Sequence, residues 1–366
     1  MRILVTTNAA VGHLAALAPT VQGLLAAGHD VRVGCPAAFA AKVRAAGFVP
    51  MACAEQPVEP IDLSPPPREA RAARFEWSVT VSWPAAARTW AAALVVQAAN
   101  WRPAVVVVEP VEHAGRVTAA ALGVPLVEHG WGFTLPAGMT DAGSRGLLDV
   151  YAQHGATPAE PAMRVDLGVA SMQAADTGAV ARYRYLAWAQ PGEALPEPDG
   201  RPRILVTLGT FGNPDAAHRI RAIVSAAHEC GAQVIAVLGN PDRHSAEVFP
   251  AGTAALDWVD LPAAVASSDL VIHHGGAGTS WATLAAGCPA VVVPQLGDQF
   301  RNAGLLGRAG VAVCLDPSDL VPVLLRQAIE RVLGTPSFAE RAGAVATENS
   351  VLPDAARLAS DIVALA

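Results

Sequence analysis

The chain has 366 residues, of which 52% are hydrophobic and 16% are charged, and its formal net charge is −7. This length predicts about two domains, and an acidic chain without a basic patch is not expected to bind nucleic acid. No run of about 18 apolar residues is uninterrupted, so we expect no stable membrane insertion. The N-terminus has no signal-peptide core, which favours the cytoplasm.

The first half of the chain alternates short apolar runs with longer helical stretches. The apolar runs are hydrophobic on both faces, which is typical of parallel strands covered by helices on each side. The predicted strands are 3–7, 30–35, 104–109 and 124–129, and the predicted helices are 14–27, 37–46 and 114–122. We interpret the proline-rich stretch 57–67 and the tryptophan-bearing stretch 75–101 as irregular insertions.

A segment rich in proline and glycine, 188–203, interrupts this alternation and predicts an interdomain linker. The chain then restarts with strands at 203–209, 234–239, 270–274, 290–294 and 311–315, and helices at 214–230, 279–287, 301–309 and 318–333. These elements predict two doubly wound α/β domains, over 1–187 and 204–350, that face a cleft. We expect a C-terminal helix within 351–366 that packs back on the first domain.

The stretch after the predicted strand 270–274 favours a phosphate site. His273 and His274 are followed by the small residues 275–278, and Thr279 is predicted to cap the next helix. The free N–H groups and the dipole at a helix N-terminus attract an anion, and His274 adds a directed donor. The alternative is a tight turn with two core histidines.

These residues resemble the donor-binding signature of family 1 glycosyltransferases of the GT-B fold. The motif His-His-Gly-Gly-Ala-Gly-Thr at 273–279 is followed by Asp298 and Gln299. The similarity extends to Gly12 and His13, to the run 206–210, and to 257–259. It is strongest to actinobacterial enzymes that glycosylate antibiotics and other natural products. The resemblance implies a nucleotide-sugar-binding second domain and an acceptor-binding first domain.

The resemblance also implies roles for individual residues of the second domain. Trp258, with Val259, is expected to bind the nucleobase, although Trp258 alone is also compatible with a core position. Asp298 and Gln299 are expected to bind the donor sugar, with a loop cap as the alternative for Asp298. Ala282 stands where related plant enzymes carry a ribose-binding glutamate, which favours a dTDP-sugar over a UDP-sugar. The expected diphosphate contacts are Thr210, His274, Gly276, Ala277, Gly278 and Thr279.

His13 is the residue that the resemblance implies as the general base. A neutral histidine at the edge of the first sheet can take the proton of an acceptor hydroxyl. Glu109 is expected to orient the imidazole, and Glu112 is the alternative partner. Trp83, Trp131 and Phe133 are expected to line an apolar acceptor pocket. His113, His129 and His154 are further candidates in this domain.

The implied reaction is inverting, metal-independent transfer of a sugar to a hydroxyl of an apolar natural product. No Asp-x-Asp pair ends a predicted strand, so we expect no metal site, and no cofactor besides the nucleotide-sugar co-substrate. A homodimer is compatible with these features. Three alternatives stay open: a nicotinamide-dependent oxidoreductase, a non-catalytic partner of another transferase, and a sugar-nucleotide 2-epimerase on the same fold. The first loop lacks Gly-x-Gly-x-x-Gly, which disfavours the oxidoreductase.

Overall fold

A computed structural model describes residues 1–54, 67–174, 180–210, 216–239 and 249–366. Within these residues the strands of the first half are β1 Arg2–Thr6, β2 Asp30–Pro36, β3 Pro50–Cys53, β4 Val105–Val108, β5 Leu126–His129, β6 Met163–Asp166 and β7 Ala181–Arg182. Those of the second half are β8 Arg203–Thr207, β9 Gln233–Val237, β10 Ala254–Leu256, β11 Leu270–His273, β12 Ala290–Val292 and β13 Ala312–Cys314.

The helices cover both faces of these strands. In the first half they are α1 Val11–Ala26, α2 Ala40–Ala45, α3 Arg71–Trp77, α4 Trp83–Arg88, α5 Ala91–Trp101, α6 Ala114–Leu122, α7 Met139–Arg145 and α8 Leu148–Gln153. In the second half they are α9 Ala216–Glu229, α10 Leu261–Ala266, α11 Ala277–Ala285, α12 Gln299–Ala309, α13 Pro322–Gly334, α14 Ser337–Ser350 and α15 Ala355–Val363. No helix in these described ranges is both long enough and apolar enough to cross a membrane.

The strands form two parallel sheets, which confirms the predicted fold class. The strand orders are β3-β2-β1-β4-β5-β6-β7 and β10-β9-β8-β11-β12-β13. In each sheet the first strand lies in the middle, so the chain reverses its winding direction there. Ligands of such sheets bind beyond the carboxyl ends of the strands at this switch point. The site is therefore expected after β1 and β4 in one sheet, and after β8 and β11 in the other.

Several elements differ from the sequence-based expectations. The stretch 75–101, predicted to be irregular, is helical, with a π-helical turn at Ser78–Ser82 between α3 and α4. Alanine has the highest helix propensity, which explains the helical conformation of this alanine-rich stretch. The short strands β3, β6, β7 and β10 and the helices α7, α8, α10 and α14 were not predicted either. The stretch 57–67 lies, except for Pro67, outside the described residues.

The chain crosses between the sheets in the segment 183–202, close to the predicted linker. Buried Arg203 donates from its guanidinium to the carbonyl of Pro196 at 2.6 Å and to Gln233 Oε1 at 2.9 Å. Gln233 in turn donates to the carbonyl of Glu197 at 2.7 Å. These contacts fix the end of the crossing segment to the second domain. The last helix, α15, returns to the first domain and packs against α1.

Trp281 of α11 is the central side chain between the two domains. It is fully buried, 5.4 Å from the Phe133 ring and 6.0 Å from the Tyr185 ring. Gly132 and Gly168 of the first domain make room for it. A Cβ on Gly132 would overlap the indole, and a Cβ on Gly168 would lie 2.5 Å from Trp281 Cζ2. We call this arrangement the glycine socket; it holds α11 against the first domain.

We predict that Gly132→Ala destabilises the protein more than Gly28→Ala. Both glycines have positive φ, +117° and +82°, and so both variants carry backbone strain. Nothing lies within 4 Å of a Cβ on Gly28. The overlap with Trp281 should add about 1–3 kcal/mol to the cost at Gly132. The midpoints of urea denaturation measure the difference, and equal midpoints would show that the socket accepts a methyl group.

Candidate active site

His13 lies at the carboxyl end of β1, where the chain enters α1. It is the third residue of α1, and its side chain is 19% exposed. Strand β1 pairs with β4, with Thr6 opposite Val108. The residues that follow these two strands therefore meet at the same edge of the sheet, and Glu109 directly follows β4.

His13 and Glu109 form a hydrogen-bonded pair. The distance from His13 Nδ1 to Glu109 Oε1 is 2.8 Å, and Glu109 is almost fully buried. The same carboxylate accepts from the Asn8 side chain at 2.8 Å and from the N–H of Val111 at 3.0 Å. A carboxylate can only accept here, so His13 Nδ1 carries a proton, and neutral His13 has its free lone pair on Nε2.

The electrostatics of this pair favour charge on both partners. Burial alone would raise the pKa of Glu109, but the charge and hydrogen bond of His13 outweigh it, and the pKa is lowered. Burial alone would lower the pKa of His13, but Glu109 outweighs it, and the pKa is raised above 6.5. His13 is therefore a stronger base than an isolated histidine.

Glu112 has a different role from Glu109. It accepts from the hydroxyl of Thr6 and from the N–H of Gly115 at 2.9 Å, and so it caps the start of α6. Burial raises its pKa to about 7. The structure thus pairs His13 with Glu109 rather than with the alternative, Glu112.

Two tryptophans enclose the imidazole of His13. The ring centroids of Trp131 and Trp83 lie 4.6 Å and 5.4 Å from it. Trp131 belongs to a small apolar cluster that also contacts Ala277, the first residue of α11 in the second domain. Phe133, the third predicted acceptor residue, is placed elsewhere, because its ring packs against Trp281 in the core between the domains.

The other histidines of the first domain are placed as structural residues. His113 and His129 are fully buried. His113 contacts the Ser144 hydroxyl, and His129 contacts the Thr20 hydroxyl at 2.8 Å. Burial lowers their pKa values to about 3 and about 4, so both are neutral. His154 lies in the turn after α8.

The glycine loop after β11 places a helix N-terminus in the cleft. Gly275 has φ +83°, and Gly276 is the N-cap of α11 in extended backbone, with no side chain to cap the helix. The prediction that Thr279 is the cap is wrong, because the helix begins two residues earlier, at Ala277. The left-handed conformation of Gly275 makes this earlier start accessible. The first-turn N–H groups of Ala277, Gly278 and Thr279 precede the first intrahelical bond.

His274 is held beside this helix start. Strands β8 and β11 are neighbours, with Thr207 opposite His273, and so Gly209 lies next to His274. The imidazole fits between two glycines: a Cβ on Gly209 would lie 2.6 Å from His274 Cε1, and one on Gly276 would overlap Nε2. Burial lowers the pKa of His274 to about 4, so the ring is a neutral donor at pH 7.

His273 faces a different environment. It is fully buried, and its Nδ1 accepts from the N–H of Gly275 at 3.0 Å. This bond stabilises the tight loop. Of the two adjacent histidines, His273 therefore shapes the loop, and His274 is the one beside the helix start.

Trp258 and Val259 follow β10 and contact the linker. Trp258 is half-buried, whereas Val259 is buried in the domain core. The Glu193 carboxylate accepts from the N–H groups of Asp257 at 2.6 Å and Trp258 at 3.3 Å. Glu193 fixes this backbone and was not among the predicted site residues. Thr210 is half-buried after β8, and the residues that follow it, 211–215, lie outside the described residues.

Asp298 lies across the cleft from the pair formed by His13 and Glu109. It is the N-cap residue of α12 and accepts from Asn302 Nδ2 at 2.8 Å. Its negative charge contributes to the raised pKa of His13, so the two side chains interact through the cleft. Asn302 also donates to the carbonyl of Gly275 at 3.0 Å and thereby links the glycine loop to α12. The sequence motif includes Asn302, but no role of its own was assigned to it, although its spacing of four residues from Asp298 on a helix is a readable signal.

Gln299 is oriented by its own loop. Its Oε1 accepts from the N–H groups of Gln295 at 2.8 Å and Leu296 at 3.1 Å. The oxygen is thus used within the protein, and the amide nitrogen is the group left for a ligand. Among the described residues, no group of three or more histidine, cysteine, aspartate or glutamate side chains is arranged to hold a metal ion.

Two facing Rossmann-like domains, with an open helix start on one wall and an oriented histidine on the other, define a glycosyltransferase of the GT-B fold. The comparisons with known proteins agree. The N-terminal and C-terminal domain models of the erythromycin biosynthesis protein CIII-like family match residues 22–209 and 221–365. The chain belongs to this family, whose relatives include actinobacterial antibiotic glycosyltransferases.

Individual relatives match over the whole chain. L-demethylnoviosyl transferase of Streptomyces niveus is 29% identical, over 100% of this chain and 98% of the relative. The crystal structure of the glycosyltransferase SnogD from Streptomyces nogalater has a TM-score of 0.82 and 28% identity, covering 100% of both chains. Spinosyn rhamnosyltransferase SpnG complexed with thymidine diphosphate has a TM-score of 0.86 and 26% identity, covering 99% of this chain and 100% of that chain.

We predict that Glu109→Gln lowers the pKa of His13. The carboxylate favours the imidazolium, whereas burial favours the neutral ring. With the charge removed, burial dominates, and the pKa should fall from above 6.5 to below it. NMR titration of the histidine Cε1–H signals measures this, with His13→Ala to assign the signal. An unchanged pKa would mean that Glu109 does not act on His13.

Proposed function

We propose that this protein is an inverting, metal-independent glycosyltransferase that moves a sugar or deoxysugar from a dTDP-sugar to a hydroxyl of an apolar natural-product aglycone. The observation that carries the proposal is the 2.8 Å contact of His13 with Glu109, on the cleft wall opposite the start of α11. The pair supplies a base for the acceptor, and the helix start supplies an anion site for the leaving group.

The acceptor side is apolar and close to the base. Trp83 and Trp131 pack around the His13 ring, and nearby apolar side chains extend this wall. Such a surface suits a large hydrophobic acceptor, whose burial is driven by the apolar area removed from water. SpnG has also been solved with spinosyn aglycone, at 27% identity and a TM-score of 0.88.

The reaction is a single displacement. As the acceptor oxygen attacks the anomeric carbon, its proton passes to His13 Nε2, and the bond from that carbon to the diphosphate oxygen breaks. Glu109 holds Nδ1–H and stabilises the imidazolium that forms. The attack comes from the side opposite the leaving group, so the configuration at the anomeric carbon inverts.

The departing diphosphate is stabilised by fixed dipoles. The N–H groups of the first turn of α11 and the neutral His274 donor lie where negative charge increases as the bond breaks. Preorganised donors of this kind need no reorganisation during the reaction. They supply the electrostatic stabilisation that a divalent cation provides in other transferases.

The nucleotide is proposed to be dTDP. Ala282 in α11 ends in a methyl group, which cannot bind a ribose 2′-hydroxyl, and a deoxyribose has none to bind. SpnG is named as complexed with thymidine diphosphate, and a relative from Streptomyces peucetius, 27% identical, is named TDP-daunosamine transferase. Asp298 and the amide nitrogen of Gln299 are the proposed sugar contacts.

We predict that Gly276→Ala weakens dTDP binding. The added methyl would overlap His274 Nε2 and displace the ring, at a cost of roughly 10- to 100-fold in affinity. Gly343→Ala in α14 is the matched control, because nothing lies within 4 Å of a Cβ there and Gly343 is not among the proposed contacts. Isothermal titration calorimetry measures both variants.

We also predict that the wild type binds dTDP more tightly than UDP, which the same calorimetry measures. Equal affinities for dTDP and UDP would contradict the choice of nucleotide.

We predict that His13→Ala reduces sugar transfer by roughly 10²- to 10⁴-fold and leaves dTDP affinity unchanged. His13 lies on the acceptor side, whereas the diphosphate contacts belong to the other domain. Product formation from dTDP-glucose and a panel of phenolic and polyketide acceptors measures the rate, with Phe48→Ala in the first-domain core as a control for folding. Transfer at the wild-type rate would exclude His13 as the base.

A further inference from the structure

Arg71 joins the two domains at a point remote in sequence from the linker. It is the first residue of α3 in the first domain, and its guanidinium binds Asp316, which follows β13 in the second. The two hydrogen bonds are 2.7 Å and 3.0 Å long, one to each carboxylate oxygen. Such a bidentate pair fixes both distance and orientation.

Both side chains of the pair are largely buried, and each makes a further contact within the protein. The two side chains are 18% and 19% exposed, and the Arg71 guanidinium lies 4.1 Å from the centre of the Phe300 ring. The Arg71 hydrogen bond is the main reason that the pKa of Asp316 lies well below its usual value. Asp316 also accepts from the N–H and hydroxyl of Ser318, which hold the carboxylate in place.

Phe300 connects this pair to the donor side of the reaction site. It is the second residue of α12 and directly follows Asp298 and Gln299, the proposed sugar contacts. On the other side, α3 continues through the π-helical turn into α4, which begins with Trp83 beside His13. Arg71 therefore links α12, which carries the proposed sugar contacts, to the helical segment that packs Trp83 against His13.

We infer that Arg71, Asp316 and Phe300 form an interdomain clasp and that Arg71 is a positioning residue for sugar transfer. The clasp holds the start of α12 at a fixed distance from the first domain, and so sets the donor sugar against His13. This inference rests on the proposed function. A planar, bidentate guanidinium suits the task, because it can stack on Phe300 and grip Asp316 at once.

The clasp should couple nucleotide binding at α11 to amide exchange in the first domain. When dTDP binds, a closed cleft should protect not only α11 and α12 but also α3 across the cleft. Without Arg71 the second domain still binds dTDP, but α3 is released from it. The coupling between the domains, rather than the affinity for dTDP, is thus the property that depends on Arg71.

Hydrogen–deuterium exchange with and without saturating dTDP tests the clasp. The variants are Arg71→Ala, Asp316→Asn and the double variant. Asparagine keeps the oxygen that accepts from Ser318 and from Arg71 Nη2, but it removes the negative charge and the second Arg71 bond. The matched control is Arg88→Ala, because Arg88 makes a bidentate pair with Asp149 within the first domain, with one bond of 2.9 Å. Each protein is measured as the full chain.

In the wild type and in Arg88→Ala, dTDP should slow amide exchange in α3, α11 and α12. In Arg71→Ala and the double variant the protection of α3 should disappear, and α12 should exchange about fivefold faster than in the wild type. In Asp316→Asn both effects should be smaller, because one Arg71 bond is kept. The double variant should be no worse than Arg71→Ala, which already removes the whole contact. Raising NaCl to about 1 M should move the wild type towards Arg71→Ala.

Protection of α3 by dTDP in Arg71→Ala, or an equal loss in Arg88→Ala, would overturn the clasp. A double variant whose effects add would also overturn it, since Arg71 and Asp316 would then act separately. Absence of dTDP binding by the wild type would instead contradict the proposed function. The exchange rate of α12 without ligand still decides the clasp in that case.

Discussion

Helix α11 must serve both domains at once, and this constraint organises the rest of the structure. Its first turn offers the N–H groups that are proposed to bind the diphosphate, and Ala277 packs against the apolar cluster that includes Trp131. The Tyr185 hydroxyl donates to the carbonyl of Gly278 at 3.0 Å, and one turn later Trp281 fills the glycine socket. One element thus fixes the distance between the glycine loop and the apolar cluster around Trp131, because its first and second turns belong to one continuous helix.

The pKa values of the histidines in the site follow from their burial and from the charged groups next to them. His13, His273 and His274 are the same residue type in the same cleft region. His274 has no carboxylate partner, and burial lowers its pKa, so it is a neutral donor. His13 has Glu109, which raises its pKa and orients its ring. The same side chain thereby provides a neutral hydrogen-bond donor at one position and a more basic imidazole at another, as in other sites where the environment separates the properties of like groups.

Local sequence signals were reliable where the chain itself determines conformation. Buried apolar runs such as Val105–Val108 read as strands, and the glycines of 275–278 read as a tight loop before a helix. Local signals were unreliable where tertiary packing determines the start of a helix or the position of a side chain. Thr279 has the side chain of a cap, yet the positive φ of Gly275 lets the helix begin earlier. Phe133 lies two residues from Trp131, yet its ring packs against Trp281 between the domains, whereas Trp131 packs beside His13.

The sequence by itself determined the two-domain α/β architecture, the family and the glycine loop before a helix, since these depend on short motifs and on patterns along one strand or helix. Tertiary structure decided the choice of Glu109 over Glu112 and the contacts of Glu193, Trp281 and Arg71. Each of these joins segments far apart in the chain; Arg71 and Asp316 are separated by 245 positions. No local pattern encodes such pairs, because they form only when two independently wound sheets are brought face to face.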